Sequence, residues 1–247
     1  MTQDPDEQQV SRTFDEFWKT QHDLSDMEDV GEDILGILLD RFPFPEGLRL
    51  VEVGSGSGRI SLALALKGAE VTLVDTSDAA LALSRSMFGK KRCSGQFVQA
   101  SAFQLPFTGG TFDVAWNTGL IEHFLFDDQA RILSEMLRVL KPGGTLITFN
   151  PSHRGRIYRI GKFILEHTNR WPYGREIPIR TLQAHCERIG ARLEAEWDTC
   201  FDIQFYYFGK YGLPAQRWLR RHKSLNRRLS SWFGGYLKVS VLRMVGS

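Results

Sequence analysis

The sequence predicts an α/β fold, a doubly wound and mostly parallel seven-stranded sheet with helical insertions. Three observations carry this. Short apolar runs alternate with segments of helical period from residue 48 to residue 150. A run of alternating glycines follows the first apolar run directly, in VEVGSGSGRI at 51–60. The chain has 247 residues, 42% of them apolar, enough to bury a core.

The elements follow in order. QQVSRTFDEFWKT (8–20) places Val10, Phe14, Phe17 and Trp18 on one helical face. A second helix, about 28–41, carries Val30, Ile34, Leu35 and Leu38 and stops at FPFPEG, because proline cannot continue a helix. Strands are expected at 48–53, 69–75, 94–100, 111–117 and 144–150, and helices at 57–68, 77–88 and 128–140, with Ser77 or Asp78 as the cap of the second of these helices. KPGG closes the helix ending at 140. The rhythm breaks after Asn150: residues 151–178 are polar, basic and aromatic without a clean period. A helix (180–190) and a strand (191–197) restore it, a second irregular basic and aromatic stretch covers 203–235, and a last strand runs 236–244. No repeat or obvious linker divides the chain. The reading is one domain over 1–247, with a helical cap (1–45), a core (46–150) and two substrate-side insertions (151–178 and 203–235).

Residues 1–150 hold 13 Lys+Arg against 22 Asp+Glu, net −9, and residues 151–247 hold 18 against 7, net +11. The basic third suits an acidic substrate, nucleic acid or an anionic membrane surface, or is a solvated face balancing the acidic part. No stretch is apolar enough to span a membrane, and the acidic N-terminus lacks the pattern of a secretory signal. Cys93, Cys186 and Cys200 are scattered without metal-ligand spacing and read as reduced thiols of a cytoplasmic protein.

The glycine loop brings backbone close to a ligand. A phosphate-cradling loop would end in Lys followed by Ser or Thr, but Gly58 is followed by Arg59 and Ile60. A dinucleotide fingerprint needs a third glycine where Arg59 stands. What remains is E-x-G-x-G-x-G, made of Glu52, Gly54, Gly56 and Gly58.

Together with VTLVD, FVQASAFQLPF, TFDVAWNTGLIEHF and LRVLKPGGTLI, in that order, this loop resembles the class I S-adenosylmethionine-dependent methyltransferases of Rossmann-like fold, and LIEHF followed by FNPSHRGRIYRIGKFILE resembles the layout of the ubiquinone-biosynthesis O-methyltransferases. The likeness covers residues 48–150 well and 180–200 loosely. It implies S-adenosylmethionine as cofactor, S-adenosylhomocysteine as product and a last strand antiparallel to the rest. It assigns cofactor contacts to Glu52, Gly54, Ser55, Gly56 and Gly58, to Asp75 and Thr76, to Ser101, Ala102 and Phe103, and to Asn117. Asp75 would accept hydrogen bonds from the ribose hydroxyls. Ser101 stands where the family often has an acidic residue reading the adenine amino group.

His123 follows the fourth strand at the carboxyl edge of the sheet and is the candidate general base; the alternative is that it orients loops or lines the cofactor pocket. Some relatives bind a divalent metal through an E-x-x-E-H motif, but the first Glu is Gly119 here, leaving only Glu122, His123 and His153; no metal is expected. His22 and Tyr173 are candidates to reach the substrate from the lid segments. RGRIYRIGKFILEH (154–167) sets Ile157, Ile160, Phe163 and Ile164 on one face among basic residues, and 214–236 repeats the theme with Trp218, Leu219, Leu225, Leu229, Trp232 and Phe233. These read first as lid helices packed on their own domain and second as a peripheral membrane contact. The expected activity is methyl transfer to a small-molecule acceptor, on oxygen, lipophilic or anionic. An RNA or protein methyltransferase docking through the basic third, and a non-catalytic partner protein, are the alternatives.

Overall fold

The computed structural model describes residues 5–20 and 28–244. His22 lies outside them. Nine helices and seven strands run in the order α1 (Pro5–Thr20), α2 (Glu28–Arg41), β1 (Arg49–Val53), α3 (Arg59–Ala65), β2 (Glu70–Asp75), α4 (Asp78–Lys90), β3 (Gln96–Gln99), β4 (Phe112–Thr118), α5 (Phe126–Arg138), β5 (Leu140–Pro151), α6 (Arg156–His167), α7 (Gln183–Ile189), β6 (Ala191–Thr199), α8 (Leu213–Arg221), α9 (Lys223–Phe233) and β7 (Leu237–Met244) among the described residues. Two 3-10 turns, Ile121–His123 and Asp202–Tyr211, complete the set.

The strands form one sheet in the order β3-β2-β1-β4-β5-β7-β6. β7 runs antiparallel to both neighbours, β5 and β6, and the pairs among β3, β2, β1, β4 and β5 are parallel. Side chains alternate across the sheet with period two. Leu50, Leu73, Val114, Trp116, Ile147, Phe149 and Val239 point to one face and pack with Ile34, Leu38, Ile60 and Leu64. Val51, Val53, Val74, Ala115, Leu146 and Leu242 point to the other and pack with Ile132, Leu133, Met136 and Leu182. Both faces are covered, which is why the central strands are apolar at nearly every position.

Local signals place most boundaries. Ser77 caps α4, its Oγ accepting from the Ala80 N–H at 3.2 Å. Helix α5 ends at Arg138, earlier than the expected 140, and β5 begins at Leu140, with Lys141, Pro142 and Gly143 (φ +76°) in an irregular stretch of it. A proline is tolerated there because the β4–β5 ladder is interrupted between Phe112 and Val114.

The stretch 203–235, irregular by sequence, folds as the Asp202–Tyr211 turn followed by α8 and α9. Pro214 in the first turn of α8 gives up no helical hydrogen bond. Arg220 fastens α8 to α2: its guanidinium lies 2.8 Å from Asp29, 3.1 Å from Asp33, 3.2 Å from Glu32 and 3.3 Å from Asp202. Part of the basic third thus meets the acidic N-terminal part directly.

The apolar faces expected on the insertions are turned inward only in part. Helix α6 buries Tyr158 and Gly161, and leaves Ile160, Phe163 and Ile164 exposed. A Cβ on Gly161 would stand 2.6 Å from the Tyr207 side chain, so the glycine is what lets α6 approach the Asp202–Tyr211 turn. Trp218, Trp232 and Phe233 are exposed as well, whereas Leu219 is buried. No helix among the described residues is long and apolar enough to cross a membrane. The three cysteines are free, with Cys186 and Cys200 buried.

Candidate active site

The sheet order reverses direction between β1 and β4, and open α/β sheets bind ligands at the carboxyl ends of the strands flanking such a point. A cavity of about 1140 Å³ lies there. One wall is the glycine loop after β1, with Gly54, Gly56, Asp75, Thr76, Ala100 and Ala102. A second carries Thr118, Gly119, Leu120, Glu122 and His123. Helix α1 covers it with Val10, Phe14, Phe17 and Trp18, the face expected from the sequence. The insertions close it with Trp171, Tyr173, Glu176, Tyr206, Tyr207 and Tyr236.

The loop is shaped by its backbone. The Gly54 and Ser55 N–H groups both donate to the Val74 carbonyl, at 2.8 and 3.0 Å. Gly56 has φ +50°, and a Cβ there would stand 2.3 Å from the Trp18 indole, so only glycine lets α1 settle on the loop. Asp75 organises the same loop: Oδ2 accepts from the Gly56 N–H at 2.8 Å and Oδ1 from the Ser77 N–H at 2.9 Å. Each oxygen keeps a further lone pair, on a residue that lines the cavity. Thr76 lies beside it, its Oγ1 accepting from Ser11 of α1 at 3.0 Å.

The remaining residues expected to touch a cofactor divide differently. Ala102 is on the wall; Ser101 and Phe103 are not. The Ser101 Oγ accepts from the Phe103 N–H at 3.0 Å, and the Phe103 ring stands edge-on to Phe124. Asn117 is fully buried with its Nδ2 3.4 Å from the Met136 sulfur, because alternate β4 residues face α5. The neighbouring Thr118 faces the cavity instead, with a buried hydroxyl that has no partner. Gly58 lies behind the loop, where a Cβ would stand 2.1 Å from Leu73; it serves close packing. Ser55 is buried.

Glu52 is also behind the loop, buried, and accepts from Ser61 Oγ at 2.5 Å. Burial, opposed by the Ser61 hydrogen bond and reinforced by Asp75, pushes its carboxyl up to about 8. The folded state therefore holds a proton that the unfolded state, at an ordinary carboxylate value, gives up. The stability this supplies is complete below the unfolded value and lost as pH rises through about 8. Glu52→Gln keeps an acceptor for Ser61 and removes the ionisation. Denaturant unfolding at about pH 6 and about pH 9 should show wild-type stability falling by about 2 kcal/mol more than that of the variant, which keeps the fall due to Glu122 and Glu176. Parallel pH curves for the two proteins would refute this.

His123 is buried at the cavity wall. Its Nδ1 lies 2.7 Å from the Arg175 carbonyl oxygen, which only accepts, so Nδ1 carries the proton and Nε2 keeps its lone pair. Phe14 packs edge-on against the ring at 4.8 Å. Burial holds its pKa down to about 4, against the raising effect of the Arg175 carbonyl, so the imidazole is neutral and a weak base. His153 does not join it. It is exposed, its pKa held down by partial desolvation and then by the charges of Arg159, Arg180 and Arg156, and it is not on the cavity wall. Among the described residues, no group of three or more His, Cys, Asp or Glu is arranged to hold a metal.

Two carboxyls that sequence reasoning did not single out as a pair stand on the wall. Glu122 is 2% exposed, and burial with the nearby Glu176 charge raises its pKa well above the ordinary value. Glu176 accepts from the Tyr158 hydroxyl, which stands 2.6 Å from each carboxyl oxygen.

A family model described as "Methyltransferase domain" matches residues 51–148, the segment that builds the glycine loop, Asp75 and the first carboxyl edge. Residues 51–148 are a methyltransferase domain. The chain is 33% identical over 145 residues to a demethylmenaquinone methyltransferase of Clavibacter sepedonicus, covering 56% of each chain. It is 31% identical over 132 residues to a ubiquinone biosynthesis O-methyltransferase of Caulobacter sp. (strain K31), covering 53% of this chain and 51% of the relative. The chain thus spans about half the length of the curated relatives it matches. In fold it is similar to magnesium protoporphyrin IX methyltransferase of Synechocystis PCC 6803 with bound S-adenosylhomocysteine, at a TM-score of 0.65 and 15% identity over 97% of this chain and 99% of the other. The loop fits the cofactor of this domain: each Asp75 oxygen retains a lone pair beyond its backbone bond, and the buried Thr118 hydroxyl on the same cavity has no partner.

Proposed function

We propose that this protein transfers a methyl group from S-adenosylmethionine to an oxygen of a lipophilic small molecule. The observation that carries the reading is the continuity of one cavity. The cofactor wall of Gly54, Gly56, Asp75 and Thr76 and an aromatic compartment of Trp171, Tyr206, Tyr207 and Tyr236 belong to the same space. A covered site of this kind orients a nucleophile and excludes water, which is what attack on an activated methyl group needs. Asp75 holds the ribose, the loop backbone faces the methionine part, and Ala100 and Ala102 flank the adenine. Ser101 helps through its turn.

A lipophilic acceptor is favoured by the mouth. Ile164 and Tyr211 line the cavity and are 46% and 82% exposed. With Ile160 and Phe163 alongside and a basic surplus in the last third, this surface suits an acceptor presented at an anionic lipid interface. Labelled cofactor offered with alkylphenols, in buffer and on anionic vesicles, tests the reading against RNA and protein acceptors. Label transfer to the phenols supports it, and transfer confined to RNA or protein overturns it.

A further inference from the structure

The carboxyl pair at the deep end of the aromatic compartment is assembled by the fold. Two hydrogen bonds clamp the segment around Glu176 onto the Ile121–His123 turn: His123 Nδ1–H to the Arg175 carbonyl at 2.7 Å, and the Ile177 N–H to the Glu122 carbonyl at 2.7 Å. Glu176 is then fixed by Tyr158, a fully buried residue wedged between Tyr207 and Tyr236 with ring centroids at 4.6 and 4.8 Å. Glu122 Oε2 is buried, has no hydrogen-bond partner, and belongs to a residue lining the cavity. A buried polar atom left without a partner costs free energy that a ligand group can recover.

The surroundings say which group. An anionic head would meet Glu122 and Glu176. Lys162 and Arg159, behind the cavity wall, already act on Glu176 and oppose a cationic head; Lys162 sits 4.9 Å over the Trp171 ring and pairs with Glu166, whose charge also acts on Glu176. The other titratable groups facing Glu176 are Tyr158, Tyr207 and Tyr236, all held protonated by burial. A neutral hydroxyl meets neither repulsion, and the aromatic walls suit a flat ring behind it.

We propose that Glu122 and Glu176, braced by Tyr158, form the head-group pocket for a neutral aromatic hydroxyl of the acceptor, with Glu176 taking its proton. This rests on the methyltransferase reading above. The hydroxyl oxygen forms a bond to the sulfonium methyl carbon, and the carbon–sulfur bond breaks with its electron pair staying on sulfur. The hydroxyl proton passes to the Glu176 carboxylate. Burial, partly offset by the Tyr158 hydrogen bond, places Glu176 at about 7, so it accepts a proton near neutrality far more readily than His123.

The test is calorimetric titration of the full chain, saturated with S-adenosylhomocysteine, with para-pentylphenol, para-pentylbenzylamine and para-pentylbenzoate. The phenol should bind about tenfold or more tightly than the other two. Glu122→Met and Glu176→Met should each remove that preference while S-adenosylhomocysteine affinity stays within about twofold. Glu176→Gln, which still accepts the Tyr158 hydrogen bond, should bind the phenol yet methylate it about a hundredfold more slowly than wild type. The amine or the benzoate binding as tightly as the phenol, a preference unchanged in both Met variants, an undiminished rate in the Gln variant, or no probe bound or methylated by a protein that binds S-adenosylhomocysteine would each overturn the proposal. Loss of S-adenosylhomocysteine binding itself would instead remove the methyltransferase reading beneath it.

Discussion

Arg220→Ala should destabilise the protein by about 3–5 kcal/mol, the cost of removing one partner from a buried charge cluster. The side chain is 20% exposed and is shared by four carboxylates on α2 and the Asp202 turn. Asp202 is the decisive one. It is 0% exposed, and without Arg220 its carboxylate would keep one neutral donor, the Asn226 amide at 2.6 Å. Asp29, Glu32 and Asp33 would be left as like charges along one helix, with Asp33 already raised by burial. For a chain of this size the loss corresponds to a fall in Tm of about 10 °C. Arg220→Lys should recover only part of it, since one ammonium cannot span four acceptors in a fixed fork. Urea unfolding of the three proteins at one pH decides the matter; a loss below about 1 kcal/mol would mean that the cluster is a surface ion pair in disguise.

Asp75→Ala has the second large effect, and on binding. The carboxylate both holds the loop, through the Gly56 and Ser77 N–H groups, and presents its free lone pairs to the cavity. Under the proposed function its removal takes an acceptor from the ribose, and it leaves two backbone donors unpaired. S-adenosylhomocysteine affinity should fall about a hundredfold or more, about 3 kcal/mol. A variant of Thr76 to Val, which loses only the bond from Ser11, should lose much less.

What could be read ahead of the structure followed from local periodicity. The strands, the glycine loop, the Ser77 cap and the apolar face of α1 are written in neighbouring residues, so their positions could be inferred from the chain alone. The parity of β4 was harder. Nothing local says whether Asn117 or Thr118 turns toward the ligand, and a shift of one residue exchanges the faces. Gly56 and Gly58 look alike in sequence, yet one borders the cavity and the other packs on Leu73; only the tertiary neighbours distinguish them. The acceptor side was least legible. Glu176 and Tyr158 lie in or beside the aperiodic stretch after Asn150 and meet only through tertiary contacts. The stripe of Ile160, Phe163 and Ile164 looked like a buried face, but α6 packs through Tyr158 and Gly161 on another side, and an aromatic with a glycine gives no hydrophobic period.

The most direct measurement is calorimetric titration of the folded chain with S-adenosylhomocysteine, beside Asp75→Ala. The account predicts a single site of micromolar affinity in the wild type, weakened about a hundredfold in the variant. A folded wild-type protein that releases no heat, or an Asp75→Ala variant that binds as tightly as the wild type, would contradict the assignment of the cavity between α1 and the glycine loop as the cofactor site.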